Sequence, residues 1–493
     1  MKIKDIVLKY DGYVDFYGEN NTEVYDITLD SRKIEKGKIF VAIKGFKLDG
    51  HDYIEQAVTK GASLIVCDQI DRVNSKANFL VVDDSRKALA DISNILFDNP
   101  SKKFNLIGIT GTNGKTSITY LMKQIFEYMN KKTALIGTLG VMIGDKKLPT
   151  SNTTPESHLL AKDMIEMVNE SVDVCTMEVS SHATELSRVR GLDFDYAVFT
   201  NLTKDHLNFH ETMENYYEAK KKLFLMDEKL SIINIDDKYG DRLYRELRDA
   251  NKKVVSYGIK SNANYKAENI KTSIKGSEFD LMIKGENKHI IVRTPGNFSI
   301  LNSLAAIIVA VEMKLDKDTI IEALSKYSGV PGRFEILPTA LDCTVIIDFA
   351  HTPDGFEKIC STIDEFAVGR KIALYGGQGE RDHNRRGPMG EIAAKHGFYS
   401  IITTDNPVYE NPKDICEEIA LGVKKHEGKY KIILDREEAI NYCMKNYEKN
   451  DIILFAGKST EPYQMIEDRK DPWNEKLVAE NAIKRVEKTF QKY

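Results

Sequence analysis

The run Gly108-Ile109-Thr110-Gly111-Thr112-Asn113-Gly114-Lys115-Thr116-Ser117 has the residue types and spacing for phosphate chemistry. An apolar stretch, Phe104 to Ile109, leads into it, and a helix-patterned stretch, Ile118 to Tyr128, leads out. A strand, a glycine-rich turn and a helix N-terminus make an anion cradle. Backbone N–H groups and the helix dipole face the phosphates, Lys115 adds a point charge, and the Thr116 hydroxyl can reach Mg²⁺. The common form of this loop would place a glycine at position 109, where Ile109 stands; Gly108 and Gly111 supply the backbone freedom instead. A nucleoside triphosphate is the implied ligand.

Two further strand ends carry matching chemistry. The apolar run Val172 to Met177 ends in Glu178-Val179-Ser180-Ser181-His182, and Tyr196 to Thr200 leads to Asp205-His206-Leu207-Asn208-Phe209-His210. A carboxylate at a strand tip beside such a loop can hold Mg²⁺, and His206 could join it, although Mg²⁺ prefers oxygen donors. Lys220, in Tyr217-Glu218-Ala219-Lys220-Lys221-Lys222, reads by pattern as part of a solvated helix face.

These residues need a scaffold. At 493 residues the chain exceeds the size of a single core, so several domains are expected. Residues 1–100 mix short strands with helices, and Asn99-Pro100-Ser101 reads as a linker. Residues 101–332 alternate apolar strands with helices, which argues for a mostly parallel α/β sheet; Ala267 to Val292 reads as an antiparallel excursion. Residues 333–493 alternate again. Their strands end at Asp348-Phe349-Ala350-His351, Gly376-Gly377-Gln378-Gly379, Asp405-Asn406-Pro407 and Gly457-Lys458, the side of an open α/β sheet where ligands bind.

Composition sets limits. The formal charge of −5 gives no sign of a nucleic-acid surface. The six cysteines form no C-x-x-C pair, so no zinc or redox site is implied. Met1-Lys2-Ile3-Lys4-Asp5 lacks a signal-peptide pattern, and no apolar run approaches the ~18 residues of a membrane span. A cytoplasmic protein is expected.

The motifs in order resemble one family. T-G-T-N-G-K-T-S is followed by N-T-T-P-E-S (Asn152 to Ser157), M-E-V-S-S-H (Met177 to His182), D-H-L-N-F-H (Asp205 to His210) and Y-E-A-K (Tyr217 to Lys220). P-G-R-F-E (Pro331 to Glu335), D-F-A-H-T-P-D (Asp348 to Asp354), E-R-D (Glu380 to Asp382) and D-N-P (Asp405 to Pro407) come later; L-D-S-R (Leu29 to Arg32) and D-G-H (Asp49 to His51) precede them. The whole resembles the Mur ligases, ATP-dependent amide-forming enzymes of peptidoglycan precursor synthesis, and among them the branch that adds the third peptide residue.

That resemblance implies an α/β fold of three domains: a small N-terminal UDP-sugar domain, a central P-loop domain and a C-terminal Rossmann-like domain that binds the amino acid. ATP would meet Gly111, Thr112, Asn113, Gly114, Lys115, Thr116, Ser117, Asn302, Arg333 and Asp348. The UDP-linked muramoyl dipeptide would meet Ser31, Arg32, Asp49, Gly50, His51, Asn152, Thr153, Thr154, Ser180 and Arg188. Thr116, Glu178, His206 and a CO₂-derived carbamate on Lys220 would hold Mg²⁺, with Lys115, Lys220, His206 and Glu178 as the catalytic set. Arg385, Arg386, Asp405, Asn406, Gly457 and Glu461 would bind the incoming amino acid. A monomer is expected, with small-molecule partners only.

The amino acid is the finer question. Members of the family that add meso-diaminopimelate commonly carry arginine after D-N-P, where it pairs with the distal carboxylate. Val408 stands there in this chain, Gly457-Lys458-Ser459-Thr460-Glu461-Pro462-Tyr463-Gln464 does not match their G-K-G-H-E element, and its Glu461-Pro462-Tyr463-Gln464 ending and Leu186 resemble lysine-adding members. L-lysine is therefore the expectation, with meso-diaminopimelate and L-ornithine as alternatives. Ser299 and Gly387-Pro388 also depart from the family's pattern, which leaves a divergent paralogue open. A folylpolyglutamate synthetase would lack the Leu29 to His51 segment. A non-catalytic amidotransferase partner would carry a four-cysteine zinc ribbon, which this sequence lacks.

Overall fold

The computed structural model describes residues 1–46, 48–73, 77–150, 152–226, 229–327, 329–381 and 383–490. Its backbone divides into two compact units. One comprises Met1–Gly111, Met122–Asn201 and Glu214–Ser256; the other comprises Thr112–Leu121, Leu202–Met213 and Tyr257–Tyr493.

The first unit holds an N-terminal sheet in the order Tyr13–Tyr17, Phe79–Val82, Leu64–Cys67, Lys38–Val41, Asp26–Thr28. Only the outer strand Tyr13–Tyr17 pairs antiparallel. The strands Leu64–Cys67 and Phe79–Val82 are buried along their whole length, as unbroken apolar runs must be when both faces are covered. The helix Ser85–Leu96 covers one face and opens on Asp84, whose carboxylate accepts from the amides of Arg86 and Lys87.

A second sheet in this unit contains Leu230–Asn234, Tyr196–Phe199, Asn105–Thr110, Val174–Glu178, Thr133–Gly137, Gly140–Ile143 and Lys146–Leu148 in that order. Its first five strands are parallel and the last two turn back. The strand Asn105–Thr110 that feeds the glycine-rich loop is flanked by the strands ending at Glu178 and Phe199. Register sets Glu178 opposite Ile109 and Phe199 opposite Thr110, so three carboxyl ends emerge together.

The second unit contains the antiparallel excursion Tyr265–Ser273, Gly276–Ile283 and Glu286–Val292, packed by the mostly buried helix Asn297–Glu312. It also contains a six-stranded sheet, Glu335–Leu337, Thr344–Asp348, Ile452–Ala456, Lys371–Tyr375, Phe398–Ile402, Tyr430–Ile432, parallel except at Glu335–Leu337. Apolar clusters fill both of its faces. A two-stranded ribbon, Tyr463–Ile466 with Arg469–Pro472, and the helix Glu475–Phe490 follow.

Several expectations shift. The linker Asn99-Pro100-Ser101 is a short 3₁₀ turn over Pro100–Lys103 with Pro100 and Ser101 buried. The loop helix begins at Lys115, three residues earlier than its apolar pattern. Among the described residues no helix is long and apolar enough to cross a membrane.

Candidate active site

The glycine-rich loop is held from within each unit. Gly111 adopts a φ of +149°, and a Cβ there would stand 1.8 Å from the Thr200 hydroxyl, so only glycine lets the neighbouring strand end approach this closely. In the second unit, Thr112 Oγ1 accepts from the Thr203 amide at 3.0 Å, Lys115 Nζ donates to the Thr112 carbonyl at 2.9 Å, and Asn113 Nδ2 donates to Asp354 at 2.6 Å. Thr116 is buried, Ser117 half-buried, and Gly114 takes a φ of +94°.

Glu178 is 1% exposed, and its carboxylate accepts from the Thr138 amide at 2.9 Å and the Thr138 hydroxyl at 3.2 Å. Its carbonyl takes a bond from Thr154 Oγ1 at 2.8 Å, and the Ser180 amide donates to that same hydroxyl at 3.1 Å. Arg188 closes the cluster with 3.0 Å to the Thr154 carbonyl and 2.7 Å to Glu156, while Thr153 meets Thr138 at 3.2 Å. Asn152 lies at the exposed entry of the same loop. Thr154, Glu178, Ser180 and Arg188, scattered in sequence, thus form one bonded group.

The solvated reading of Lys220 is overturned. The side chain is 1% exposed, Nζ donates to the Gly111 carbonyl at 2.8 Å, and it lies 4.7 Å from the centre of the Tyr216 ring. Residues 213–221 form one helix, whose register turns Lys220 inward and Lys221 to Glu246 at 2.8 Å. A lone lysine in a charged run carries no sequence signal for this; register against the sheet does.

In the N-terminal sheet, His51 is 2% exposed, with Nδ1 2.6 Å from Asp49. Its Nε2 lies 2.9 Å from Asp68, at an angle that makes no hydrogen bond. Gly50 packs against the Ile43 backbone, where a Cβ would stand 2.6 Å from the Ile43 nitrogen. Ser31 is buried and donates to Gln56 at 2.5 Å; Arg32 is exposed and paired with Asp30 at 2.8 Å.

In the second unit, His206 takes a φ of +52° and its amide donates to Asp205 at 2.7 Å. Asp205 is also reached by Arg385 at 2.5 Å; burial works against its charge, but His206 and Arg385 outweigh it and hold the carboxyl below the usual aspartate value. Asp348 accepts from the Phe334 and Ala350 amides, both at 2.7 Å; burial still pushes its carboxyl up, against Arg333. The Arg333 guanidinium lies 4.4 Å from the centre of the Phe349 ring, and Asn302 is half-buried.

Around the last strand ends, Lys458 Nζ donates to Asn406 at 2.6 Å and Glu461 at 2.7 Å and stands 3.7 Å from Asp405. Asp405 is 1% exposed and neither carboxylate oxygen has a hydrogen-bond partner. Burial pushes its carboxyl up, against Lys458 and then Arg436. Gly457 completes the wall, where a Cβ would stand 3.1 Å from Asp405 Oδ2. Arg386, expected to meet the amino acid, is instead buried between Glu410 at 2.8 Å and Glu418 at 3.0 Å; Arg385 is taken up by Asp205. Asp382 of the E-R-D motif lies outside the described residues.

Comparison with known proteins accounts for this arrangement. Residues 23–95 match the Mur ligase family catalytic domain, 109–310 the Mur ligase middle domain, and 332–459 the Mur ligase glutamate ligase domain. The chain belongs to the Mur ligase family. It is 45% identical over 471 residues to the UDP-N-acetylmuramoyl-L-alanyl-D-glutamate–2,6-diaminopimelate ligase of Caldanaerobacter subterraneus subsp. tengcongensis, covering 96% of this chain and 97% of that one. It is 43% identical to ligase 1 of the same description from Clostridium acetobutylicum, covering 98% and 99%. A solved diaminopimelate ligase superposes with a TM-score of 0.73 at 28% identity, over 98% of this chain and 99% of that one. MurF from Acinetobacter baumannii, at 16% identity over 92% and 95%, shares the fold with a TM-score of 0.66.

These relatives do not support the L-lysine expectation, which rested on Val408 and the Glu461-Pro462-Tyr463-Gln464 run. In this Mur ligase the metal-binding chemistry fits Mg²⁺. No three His, Cys, Asp or Glu side chains gather as a metal site among the described residues, but a P-loop Mg²⁺ needs only a hydroxyl, a carboxylate and phosphate oxygens. The Glu178 carboxylate, buried on the strand end beside Ile109, is a donor of that kind; within the other unit the buried Thr116 hydroxyl is another.

Proposed function

We propose that this Mur ligase uses ATP to join meso-diaminopimelate to the terminal D-glutamate of UDP-N-acetylmuramoyl-L-alanyl-D-glutamate, releasing ADP and phosphate. The observation that carries the reading is the buried Lys220 amine on the carbonyl of the P-loop residue Gly111, with Glu178 on the adjoining strand end. The relatives' shared substrate supplies the rest. Residues 1–100 are assigned to the UDP-sugar, 101–332 to ATP and 333–493 to the amino acid, in a cytoplasmic monomer.

The D-glutamate carboxylate attacks the γ-phosphorus of ATP, giving an acyl phosphate and ADP; the amine of the amino acid then displaces phosphate and forms the amide. Loop amides and Lys115 stabilise the charge spread over the transferring phosphoryl oxygens. Mg²⁺, when bound, neutralises phosphate charge; Thr116, Glu178 and His206 are its assigned ligands. Lys220 is assigned as a carbamate: the neutral amine attacks the carbon of CO₂, one N–H proton leaves to solvent, and the new carboxylate adds an oxygen donor. His351 and the Lys220 carbamate are the two candidate bases for the incoming amine. His351 Nδ1 lies 2.8 Å from the Phe349 carbonyl, which can only accept, so Nδ1 is the donor there and Nε2 is the nitrogen left to face the incoming amine.

The test is phosphate release from ATP with the UDP-linked dipeptide and, separately, meso-diaminopimelate, L-lysine or L-ornithine, with mass analysis of the product. Turnover with meso-diaminopimelate supports the reading; turnover confined to another amino acid refutes the substrate, and silence with all three refutes the ligase. A ¹³C carbamate resonance from labelled bicarbonate, lost in Lys220→Arg, tests the modification.

A further inference from the structure

We infer that Lys470, on the ribbon that follows the amino-acid loops, binds the distal carboxylate of a diamino dicarboxylic acid. This rests on the meso-diaminopimelate reading above and adds the residue that would recognise the feature separating that substrate from L-lysine.

The ribbon is laced to the loop 405–408. The Val408 amide donates to the Met465 carbonyl at 3.2 Å and the Glu467 amide to the Val408 carbonyl at 2.8 Å. Gln464 Nε2 donates to the Asp405 carbonyl at 2.7 Å and the Met465 amide to Asn406 Oδ1 at 2.9 Å. Val408 is a β-branched residue at a φ of +53°, a conformation these bonds must hold against its side chain. The ribbon is thus a fixed wall of the loop.

Register places Tyr463 opposite Pro472 and Met465 opposite Lys470, so these four side chains share one face. The Tyr463 ring has two ammonium groups near it, Lys470 Nζ at 4.6 Å and Lys458 Nζ at 5.9 Å from its centre. Lys458 is the lysine that bonds Glu461 and stands beside Asp405, so Lys470 and the cation of that carboxylate pair share the Tyr463 ring.

Charge distinguishes these cations. Lys458 is committed to Asn406 and Glu461, Arg386 to Glu410 and Glu418, and Arg436 to Glu475. Lys470 is exposed and has no carboxylate within 4.0 Å among the described residues, while its neighbour Arg469 is paired with Asp471. Its ammonium lies over the Tyr463 ring at 4.6 Å from the centre, which restricts where the charge sits. Asp405, whose two oxygens accept no hydrogen bond and face Lys458 only at 3.7 Å, suits an ammonium; Lys470, at the Tyr463 ring that Lys458 also approaches, suits a carboxylate. A ligand end bearing both charges, the amino-carboxylate centre of a diamino dicarboxylic acid, matches the pair. Val408 offers no charge, so the ribbon supplies the cation.

The test uses the full chain as wild type, Lys470→Met, Lys470→Arg and Lys470→Met with Val408→Arg. With meso-diaminopimelate, Lys470→Met is expected to raise KM at least roughly tenfold, as loss of a charge-assisted bond does, with kcat and the KM values for ATP and the UDP-linked dipeptide within about twofold. Lys470→Arg, and the double variant through its new guanidinium, should recover most of the loss. An unchanged KM in Lys470→Met, while the wild type turns over meso-diaminopimelate, overturns this inference and leaves the ligase reading standing. A wild type that ignores meso-diaminopimelate but adds L-lysine overturns both.

Discussion

The buried pair Arg436–Glu475 yields a prediction that links stability to substrate binding. Both side chains are 0% exposed. Arg436 Nε donates to Glu475 at 2.9 Å, Nη2 donates to it at 2.6 Å and to the Ala456 carbonyl at 3.1 Å, and Trp473 Nε1 donates to the same carboxylate at 2.7 Å. Arg436→Met leaves a buried carboxylate with the indole as its remaining side-chain donor in this group. Breaking a buried pair from one side costs about 3–5 kcal/mol, which for a domain of this size lowers Tm by roughly 10 °C. Arg436→Met with Glu475→Leu removes both charges and should regain most of that stability. Trp473 is the one tryptophan of the chain, so its fluorescence during urea unfolding reads this element directly. The positive charge of Arg436 also favours ionised Asp405, next after Lys458. The double variant should therefore recover stability while keeping a raised KM for the amino acid. A single variant within about 1 kcal/mol of wild type, or a double variant no more stable than the single, would refute the reasoning.

Further expectations follow from individual contacts. Gly111→Ala forces a Cβ onto the Thr200 hydroxyl, and nucleotide binding should fall at least roughly tenfold by equilibrium titration; Thr200→Ala in the same chain should restore part of it. His158 is pushed down to about 4 from 6.5 by burial, then by Lys162. Between those values the unfolded chain binds the extra proton, so stability is full above pH ~6.5 and falls as pH drops toward ~4, by up to about 3 kcal/mol. Urea midpoints at about pH 7.5 and 5 should differ less in His158→Gln than in wild type. Arg385→Ala frees Asp205, which holds the His206 amide; binding of the Mg²⁺–nucleotide complex should weaken roughly tenfold with the amino-acid KM within twofold, and the reverse pattern would return Arg385 to the amino acid.

Several features were legible in the residues themselves because their causes are local. Phosphate-loop chemistry needs glycines, a lysine and a hydroxyl at short fixed spacing between a strand and a helix, and all lie within ten consecutive positions. Unbroken apolar runs such as Leu64–Cys67 and Ile452–Ala456 announce strands buried on both faces. Short or polar elements were not legible: Tyr13–Tyr17 is largely exposed, and the ribbon strand Arg469–Pro472 carries no apolar alternation.

What tertiary structure alone decided was which polar groups are spent on one another. Lys220 and Lys222 are two residues apart in one basic run, yet one is buried on the Gly111 carbonyl and the other pairs at the surface with Glu185. Arg385 and Arg386 both looked available for a substrate carboxylate, until the fold set Asp205 beside one and Glu410 and Glu418 beside the other. Asp405 is the reverse case, a carboxylate left without a hydrogen-bond partner. Side-chain type determines what a group can bond. Long-range packing brings or withholds the partner, and in a low-dielectric interior that choice separates a structural ion pair from a binding group.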